Sequence, residues 1–332
     1  MSTALIIGVS SQDGSYLADL LVDKGYEVIG TIRRSTNFYQ ENIRHLIGKI
    51  RVEAADLTDS ESMARLVRYY QPHEVYNLAA QSVPADSWSH PYYTGEVTGL
   101  GVVRILDAVR LHAPNARFYQ ATSREIFGGT CGVATENTPV DANNPYGIAK
   151  AYAHMMTKCY RESYGLFACS GILFNHESPR RSLHFVTRKI TAAVACLKNG
   201  IEKPPLDELG NPLIDAGKIK LGWLNSQRDW GYAPEYVEAM WRMLQNEQPK
   251  DYIIGTRISH TVADVCRIAF EHVGLDWQRH VETDKKLLRP TEIEVLVGDY
   301  GLAEQELGWQ PRTSFEQLIR LMVDADLERF RS

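Results

Sequence analysis

The first half of the chain alternates short apolar runs with amphipathic stretches. Each run ends in glycine or small polar residues, as is typical of parallel strands buried on both faces, and the stretches between them carry apolar residues at the helical period. The runs are residues 4–8, 26–32, 50–54, 74–78, a stretch that begins at Arg117, and residues 167–174. The helical stretches are residues 15–24, 91–112 and 145–164. This alternation predicts an α/β protein with a Rossmann-like, doubly wound parallel sheet and right-handed crossovers.

From residue 175 onward the pattern is less regular. Residues 175–181 are polar without periodicity, and residues 199–217, rich in Pro, Asp and Gly, predict a surface loop. Helices are predicted at residues 185–197, from after Trp230 to 244, at 262–273 and at 314–329, with strands at 218–224 and 251–255. We therefore expect a discontinuous organisation: residues 1–174 and 218–256 form the Rossmann domain, and residues 175–217 and 257–332 form a smaller C-terminal substrate lobe.

Composition and charge narrow the class of protein. The chain has 332 residues, a net charge of −5 and scattered basic residues, which argues against nucleic-acid and membrane partners. Its five cysteines include no C-x-x-C pair, as expected for reduced thiols in the cytoplasm. No apolar run is long enough to span a bilayer, and no cluster of metal ligands is evident. We expect a soluble, cytoplasmic protein without a metal.

A glycine motif follows the first predicted strand. Gly8 and Gly14 flank a turn in which Ser11 occupies the usual position of the middle glycine, followed by Gln12 and Asp13. A strand, a glycine turn and a helix form the phosphate-binding entry of a Rossmann unit, where backbone N–H groups and the helix dipole meet a pyrophosphate. An ordinary strand-to-helix turn is the alternative. The position at the start of an alternating chain favours dinucleotide binding.

The second strand ends in Arg33-Arg34, without the acidic residue that NAD would favour. A guanidinium can bind the 2′-phosphate of NADP through two hydrogen bonds, so we expect NADP; a solvated basic turn is the alternative. The third and fourth strands end in small or polar residues that allow a ligand to approach the backbone. These ends supply the candidate cofactor contacts Asp56, Leu57, Leu78 and Ala80.

Four residues form a candidate catalytic group. The strand that begins at Arg117 ends near Ser123 and Glu125, where open α/β sheets bind ligands. Tyr146 and Lys150 are four residues apart, so on a helix they share one face. A hydroxyl, a carboxylate, a phenol and an ammonium would then meet over one substrate. Without a dinucleotide fold around it, the Tyr–Lys pair would be an ordinary helix-surface pair.

Longer motifs resemble the GDP-mannose 4,6-dehydratase family of the extended short-chain dehydrogenase/reductase superfamily, nearly end to end. The most specific are residues 171–181, which end in Asn175-His176-Glu177-Ser178-Pro179-Arg180-Arg181, residues 185–191, the stretch from Arg228-Asp229-Trp230-Gly231 through residues 237–241, and Arg289-Pro290-Thr291-Glu292. The resemblance implies NADP binding by Gly8, Gly14, Arg33, Asp56, Leu57, Tyr93, Tyr146, Lys150, His176 and Arg181. It implies nucleotide-sugar binding by Ser82, Asn175, Lys189, Arg228, Arg289 and Glu292; surface cations are the alternative for the basic members. It assigns catalysis to Ser123, Glu125, Tyr146 and Lys150.

The implied activity is a redox-neutral dehydration that produces a deoxysugar. Tyr146 accepts the O4 proton as C4 is oxidised, helped by the Lys150 ammonium and the cationic nicotinamide, which are expected to favour the phenolate. Glu125 then removes the C5 proton and assists loss of water from C6, and hydride returns to C6. Family members reach a neighbouring subunit through a loop resembling residues 34–39, so a homotetramer, or at least a dimer, is expected.

Some residues depart from the family pattern. Arg124 stands beside the presumed base, where it could act on the carboxylate, point to solvent or bind an anionic substrate group. Asn143 stands where the family has an arginine, and Ser11 is expected to crowd the cofactor turn. Residues 199–217 are longer than the corresponding connection in the family. They leave open a related enzyme, such as a decarboxylase of a nucleotide-linked uronic acid held by Arg124. A dinucleotide-binding sensor without turnover is the other alternative, although it would not need Glu125, Tyr146 and Lys150 together.

Overall fold

A computed structural model describes residues 1–33, 38–287 and 295–331. The strands in chain order are β1 (Thr3–Ile7), β2 (Glu27–Ile32), β3 (Arg51–Ala54), β4 (Glu74–Asn77), β5 (Arg117–Ser123), β6 (Gly132–Ala134), β7 (Ala168–Leu173), β8 (Asn175–Glu177), β9 (Ile219–Leu221), β10 (Gln227–Tyr232), β11 (Tyr252–Ile254), β12 (Ser259–Thr261), β13 (Val281–Thr283) and β14 (Leu296–Gly298). The helices are α1 (Gln12–Asp23), α2 (Ser60–Tyr70), α3 (Pro84–Ser87), α4 (Pro91–Thr94), α5 (Gly101–His112), α6 (Pro145–Tyr164), α7 (Val186–Lys198), α8 (Ala233–Gln245), α9 (Val262–His272), α10 (Gly301–Leu307) and α11 (Phe315–Arg329).

Within the described residues, seven strands form one parallel sheet in the order β11-β7-β5-β4-β1-β2-β3. The chain runs from β1 outward to β3 and then returns to β4 on the other side of β1. This reversal opens a crevice at the carboxyl ends of β1 and β4, where α/β sheets bind ligands. Strands β4 and β7 are buried along their whole length, as expected for central strands of a parallel sheet covered on both faces. The predicted Rossmann-like, doubly wound sheet is confirmed.

The predicted helices are present, with two differences. Helix α1 begins at Gln12, three residues before the predicted start, because Ser11 caps it. The predicted helix of residues 91–112 is interrupted by a π-helical segment, Gly95–Leu100, between α4 and α5. Helix α6 has the predicted bounds because Asn144 caps it and Pro145 occupies its first turn.

The C-terminal part builds a smaller core from α7, α9, α11 and short strands. Sequence patterns missed the short pairings of this region: β10 lies between β8 and β12, β9 pairs with β13, and β6 pairs with β14. The prediction of a plain surface loop for residues 199–217 is wrong at Leu213, which is fully buried in the smaller core. Short bridges join Leu206 to Pro212 and Asp215 to Lys218. This segment is therefore an ordered part of the lobe.

A buried ion pair joins α7 to α11. Arg188 and Asp326 are almost completely buried, and Arg188 donates to the Asp326 carboxylate. Thr191 donates to the same carboxylate at 2.8 Å, and the Nε of Arg188 donates to the Pro179 carbonyl oxygen at 3.2 Å. The pair thus connects the end of the chain to the 175–181 motif. Across the described ranges, no helix combines the length and apolar character needed to cross a bilayer.

Candidate active site

The glycine turn after β1 has the geometry of a phosphate cradle. Gly8 has φ +91°, and a Cβ added there would lie 3.1 Å from the backbone N of Ala79. A Cβ on Gly14 would lie 2.3 Å from the Gly8 carbonyl oxygen. Ser11 was expected to crowd this turn. Its hydroxyl instead forms part of the turn, since it donates to the Gly8 carbonyl at 2.8 Å and accepts from the Gly14 N–H at 3.1 Å. Ser11 therefore supports the turn.

A cavity of about 390 Å³ extends from this turn along the sheet edge. Most of the predicted cofactor residues line it: Gly8, Ser11, Gln12, Asp13, Arg33, Asp56, Leu57, Leu78, Ala80, Tyr93 and Arg181. At its rim, Arg33 donates to the Tyr93 hydroxyl at 2.5 Å. Gly14 lies beneath the turn. An elongated cleft that begins at a helix N-terminus and ends in a guanidinium fits a dinucleotide.

An Asp–His pair lies where this cavity approaches a second one. The Nε2 of His176 is 2.8 Å from an Asp13 oxygen, and its Nδ1 is 2.8 Å from the Phe174 carbonyl oxygen. Burial alone would raise the pKa of Asp13, but the His176 charge and hydrogen bond lower it below its usual value. Burial opposes the charge on His176, yet Asp13 raises the pKa of His176 above its usual value. The pair joins the glycine turn to the 175–181 motif.

The second cavity, of about 710 Å³, contains the candidate catalytic group. Ser123, Glu125, Tyr146 and Lys150 all line it. Strand β5 ends at Ser123, whose hydroxyl accepts from the Glu125 N–H at 3.3 Å, and α6 brings Tyr146 and Lys150 to the same wall. The predicted meeting of hydroxyl, carboxylate, phenol and ammonium is thus present in one cavity.

Asn144 is a functional residue that the sequence analysis missed. Its Nδ2 donates to Glu125 Oε2 at 2.9 Å, while its Oδ1 accepts from the Gly147 N–H at 2.8 Å. One side chain therefore caps α6 and holds the Glu125 carboxylate. The Asn-Pro pair at the start of a predicted helix was the available signal, since Asn is a preferred cap and Pro a preferred first helical residue.

Burial shifts the pKa of both Tyr146 and Lys150. Burial raises the pKa of the Tyr146 phenol, although its hydrogen bond with Ser123 lowers it in part. Burial lowers the pKa of Lys150 to about 8. The Lys150 Nζ donates to the Ala121 carbonyl at 2.8 Å and lies 5.8 Å from the centre of the Tyr146 ring. Stabilisation of the phenolate by Lys150 and a cationic nicotinamide stays a prediction, and the Ala121 carbonyl fixes the position of the Lys150 ammonium on this wall.

Arg124 does not point to solvent. Its side chain is 2% exposed, and its Nε lies 3.7 Å from Glu125 Oε1. It also lines the larger cavity. The short helical turn after Ser123 directs Arg124 inward, beside the Glu125 carboxylate and towards the cavity. Binding of an anionic substrate group by Arg124 stays a prediction.

Four of the six residues that the resemblance assigns to the nucleotide sugar lie in the described part of the chain. Ser82, Asn175, Lys189 and Arg228 line the larger cavity together with His176. Burial lowers the pKa of Lys189, whose Nζ donates to the Lys220 carbonyl at 3.1 Å. Arg289 and Glu292 lie outside the described residues. Within the part of the chain that the structure describes, no cluster of His, Cys, Asp or Glu could hold a metal ion.

Comparison with known proteins agrees with this geometry. The family model for GDP-mannose 4,6 dehydratase matches residues 5–322. The chain is 47% identical to GDP-mannose 4,6 dehydratase 1 of Arabidopsis thaliana, over 98% of this chain and 90% of that protein. It is 41% identical to the Homo sapiens GDP-mannose 4,6 dehydratase, over 100% and 93%. A solved dTDP-glucose 4,6-dehydratase of Bacillus anthracis, in complex with NAD, has the same fold, with a TM-score of 0.82 at 19% identity over 99% of this chain and 97% of that one. The chain belongs to the GDP-mannose 4,6-dehydratase family.

Proposed function

We propose that this chain is an NADP-dependent dehydratase that converts GDP-mannose to GDP-4-keto-6-deoxymannose. Family membership makes it a nucleotide-sugar 4,6-dehydratase. The identities of the substrate's nucleobase, of its sugar and of the cofactor are our proposal. The observation that carries it is the Glu125 carboxylate, which shares one cavity with Tyr146 and Lys150 and is held there by Asn144. Simple reductases and 4-epimerases need no such carboxylate.

A nicotinamide bound in the adjoining cavity would accept hydride from C4 of the hexose and return it to C6. Tyr146 accepts the O4 proton in the first half of this cycle. Its hydrogen bond with Ser123 opposes the effect of burial on the pKa of the phenol and orients it. Lys150 holds its position through the Ala121 carbonyl, and below pH about 8 it contributes a positive charge to the same wall. Oxidation at C4 thus needs Tyr146 and Lys150, not Glu125.

Glu125 acts after the ketone has formed. A 4-ketone acidifies the C5 proton, and the Glu125 carboxylate removes it as the C6–O bond breaks. The oxygen leaves as water with the proton that Glu125 took. C5 regains one proton when C6 is reduced, which balances the O4 proton that Tyr146 accepted. Atoms balance as the net loss of one water. Asn144 keeps one carboxylate oxygen hydrogen-bonded, and Arg124 keeps a positive charge near the other. Both contacts orient the base.

The position of Arg124 weighs against decarboxylation. In that alternative, Arg124 would hold the carboxylate of a uronic acid, but its Nε already lies 3.7 Å from Glu125 Oε1, so the substrate would have to share this cation with Glu125. Incubation with GDP-mannose, UDP-glucose, dTDP-glucose and a nucleotide-linked uronic acid, followed by mass spectrometry, tests the proposal. We expect loss of water from GDP-mannose. Loss of carbon dioxide from the uronic acid, or no product from any substrate, would refute it.

For the cofactor, we expect Arg33→Ala to weaken NADP binding by roughly ten- to a hundredfold, because a guanidinium–phosphate contact contributes about 1.5–3 kcal/mol. NAD binding should change little, since NAD lacks the 2′-phosphate. Titration of the purified protein with both cofactors measures the two affinities. Arg68→Ala, which removes an exposed arginine outside the cavity, is the control. Equal losses of NADP and NAD affinity would contradict the assignment of Arg33.

We also propose a homotetramer, or at least a dimer. Ile148, Tyr152 and Met155 follow helical spacing on α6 and are 56%, 41% and 58% exposed. An apolar stripe of this kind on a long helix is typical of a face covered by another copy. Of the interface loop expected near Arg33, residues 34–37 lie outside the described part of the chain.

The free cysteines among the described residues suit a cytoplasmic protein.

The assembly test changes one side chain of this stripe. Met155→Glu should shift the protein to a smaller species in light scattering, because a carboxylate would have to be buried in the interface. Met155→Leu keeps the apolar surface and should leave the mass unchanged. A wild-type monomer at working concentration would rule out the assembly.

A further inference from the structure

Residues 199–217, called the strap below, form an ordered turn rather than a free loop. At its centre, Asp207 Oδ1 accepts from the Leu209 N–H at 3.0 Å and from the Asn211 N–H at 2.7 Å. Gly210 has φ +82°, which suits the tight bend. Leu213 anchors the strap in the smaller core. These contacts fix the direction in which Glu208 and Leu209, at the tip of the turn, project.

Glu208 attaches the tip of the strap to the start of α7. Its carboxylate accepts from the Leu183 N–H at 2.9 Å, the His184 N–H at 3.1 Å and the His184 Nδ1 at 3.1 Å. Burial alone would raise the pKa of Glu208, but these hydrogen bonds lower it below its usual value. The carboxylate is therefore charged at neutral pH. Sequence patterns did not predict these three hydrogen bonds between Glu208 and the segment before α7.

The attachment point lies on the wall between the two cavities. His184 and Phe185 line both cavities, as does Arg181, whose guanidinium lies 3.5 Å from the centre of the Phe185 ring. Leu209, beside Glu208, also lines both, and its side chain is 54% exposed. An apolar side chain held at this junction can be covered by both ligands at once. The strap thus contributes to the cofactor site and to the substrate site.

We propose that Glu208 is a positioning residue that holds the strap so that Leu209 closes over the cofactor and retains it through the catalytic cycle. This inference rests on the proposed function, because a redox-neutral dehydration must return its hydride to the same sugar. Loss of the reduced cofactor after C4 oxidation would leave a 4-keto intermediate that cannot be reduced at C6 to give the product. Contacts that slow cofactor release therefore matter more here than in an enzyme that exchanges its cofactor each turnover.

The first experiment measures NADPH release without any sugar present. Stopped-flow fluorescence should show release accelerated roughly tenfold in Glu208→Gln and in Leu209→Ala, which corresponds to about 1.4 kcal/mol. Glu202→Gln, an exposed glutamate of the same strap, should release NADPH at the wild-type rate. Melting temperatures and circular dichroism confirm that the variants are folded. Leu209→Ala removes only a half-exposed side chain, so it remains informative if Glu208→Gln does not fold. Unchanged release in both variants would overturn the proposal.

The second experiment follows the hydride during turnover. GDP-mannose with deuterium at C4 is mixed with GDP-mannose labelled with carbon-13 in the hexose, and the product masses are compared. Wild type should give no product that carries both labels, whereas the two strap variants should give it in measurable amounts. Crossover in wild type, or none in the variants, would contradict retention by the strap. The release experiment stands even if GDP-mannose is not the substrate, so the two proposals fail separately.

Discussion

Glu125→Gln should stop the enzyme after its first chemical step and reduce turnover by about a hundredfold to ten-thousandfold, the usual contribution of a general base. Oxidation at C4 depends on Tyr146, Lys150 and the glycine turn, which this substitution leaves in place. Mixing the variant with GDP-mannose should therefore accumulate bound NADPH, visible by its absorbance, without dehydrated product. Exchange of the C5 proton with heavy water should stop as well. Gln keeps the size of the side chain and one oxygen that can accept from Asn144, while its NH₂ group replaces the basic oxygen near Arg124.

Tyr146→Phe is the matched control for this experiment. It removes the acceptor for the O4 proton, so no NADPH should form and no product should appear. Comparing the two variants separates the oxidation from the elimination. If Glu125→Gln makes product at a near-normal rate, Glu125 is not the base. The proposed reaction would then need another residue of the same cavity.

Asp326→Ala should have the largest effect on stability, a loss of about 3–5 kcal/mol, because it leaves the buried Arg188 guanidinium without its counter-charge. It also removes the closer of the two acceptors of the Thr191 hydroxyl, the other being the Arg188 carbonyl oxygen. Chemical denaturation followed by circular dichroism measures the loss. Glu316→Ala breaks an exposed ion pair with Arg320 on the same helix and should cost less than about 0.5 kcal/mol.

A paired replacement tests the physical reason for this loss. Changing Arg188 to Met and Asp326 to Leu removes both charges and keeps much of the volume, so stability should recover most of the way. If Asp326→Ala is as mild as Glu316→Ala, the buried pair is not a determinant of stability. If the paired replacement is as unstable as Asp326→Ala, packing rather than the lone charge causes the loss.

Local patterns were sufficient for the sheet and for the catalytic group. Continuous apolar runs mark strands buried on both faces, and the carboxyl ends of such strands meet at one edge, so sequence alone could place Ser123 and Glu125 at the edge where the larger cavity opens. The spacing of Tyr146 and Lys150 needed only the helical period. These predictions use interactions within a few residues.

The features that were missed depend on partners distant in the chain. Glu208 meets His184 across 24 residues, and Asn144 meets Glu125 across 19. Short strands such as β12 have too few residues to show a period. The pKa of a side chain also depends on burial, which sequence does not reveal: burial raises the pKa of the Tyr146 phenol and lowers the pKa of Lys150. The inward turn of Arg124 likewise depends on the local backbone after Ser123.

The completion of the sheet by β11 has a consequence for building chimeras between relatives. Strand β11 covers the outer edge of β7, and the neighbouring Asp251 accepts from the Ser170 N–H at 2.7 Å and pairs with Arg161. A fragment cut after residue 174 would leave that apolar strand edge open, which promotes aggregation. The nucleotide-binding half is therefore not a separable module. Recombination that exchanges it must carry both pieces of chain, with the lobe between them left in place.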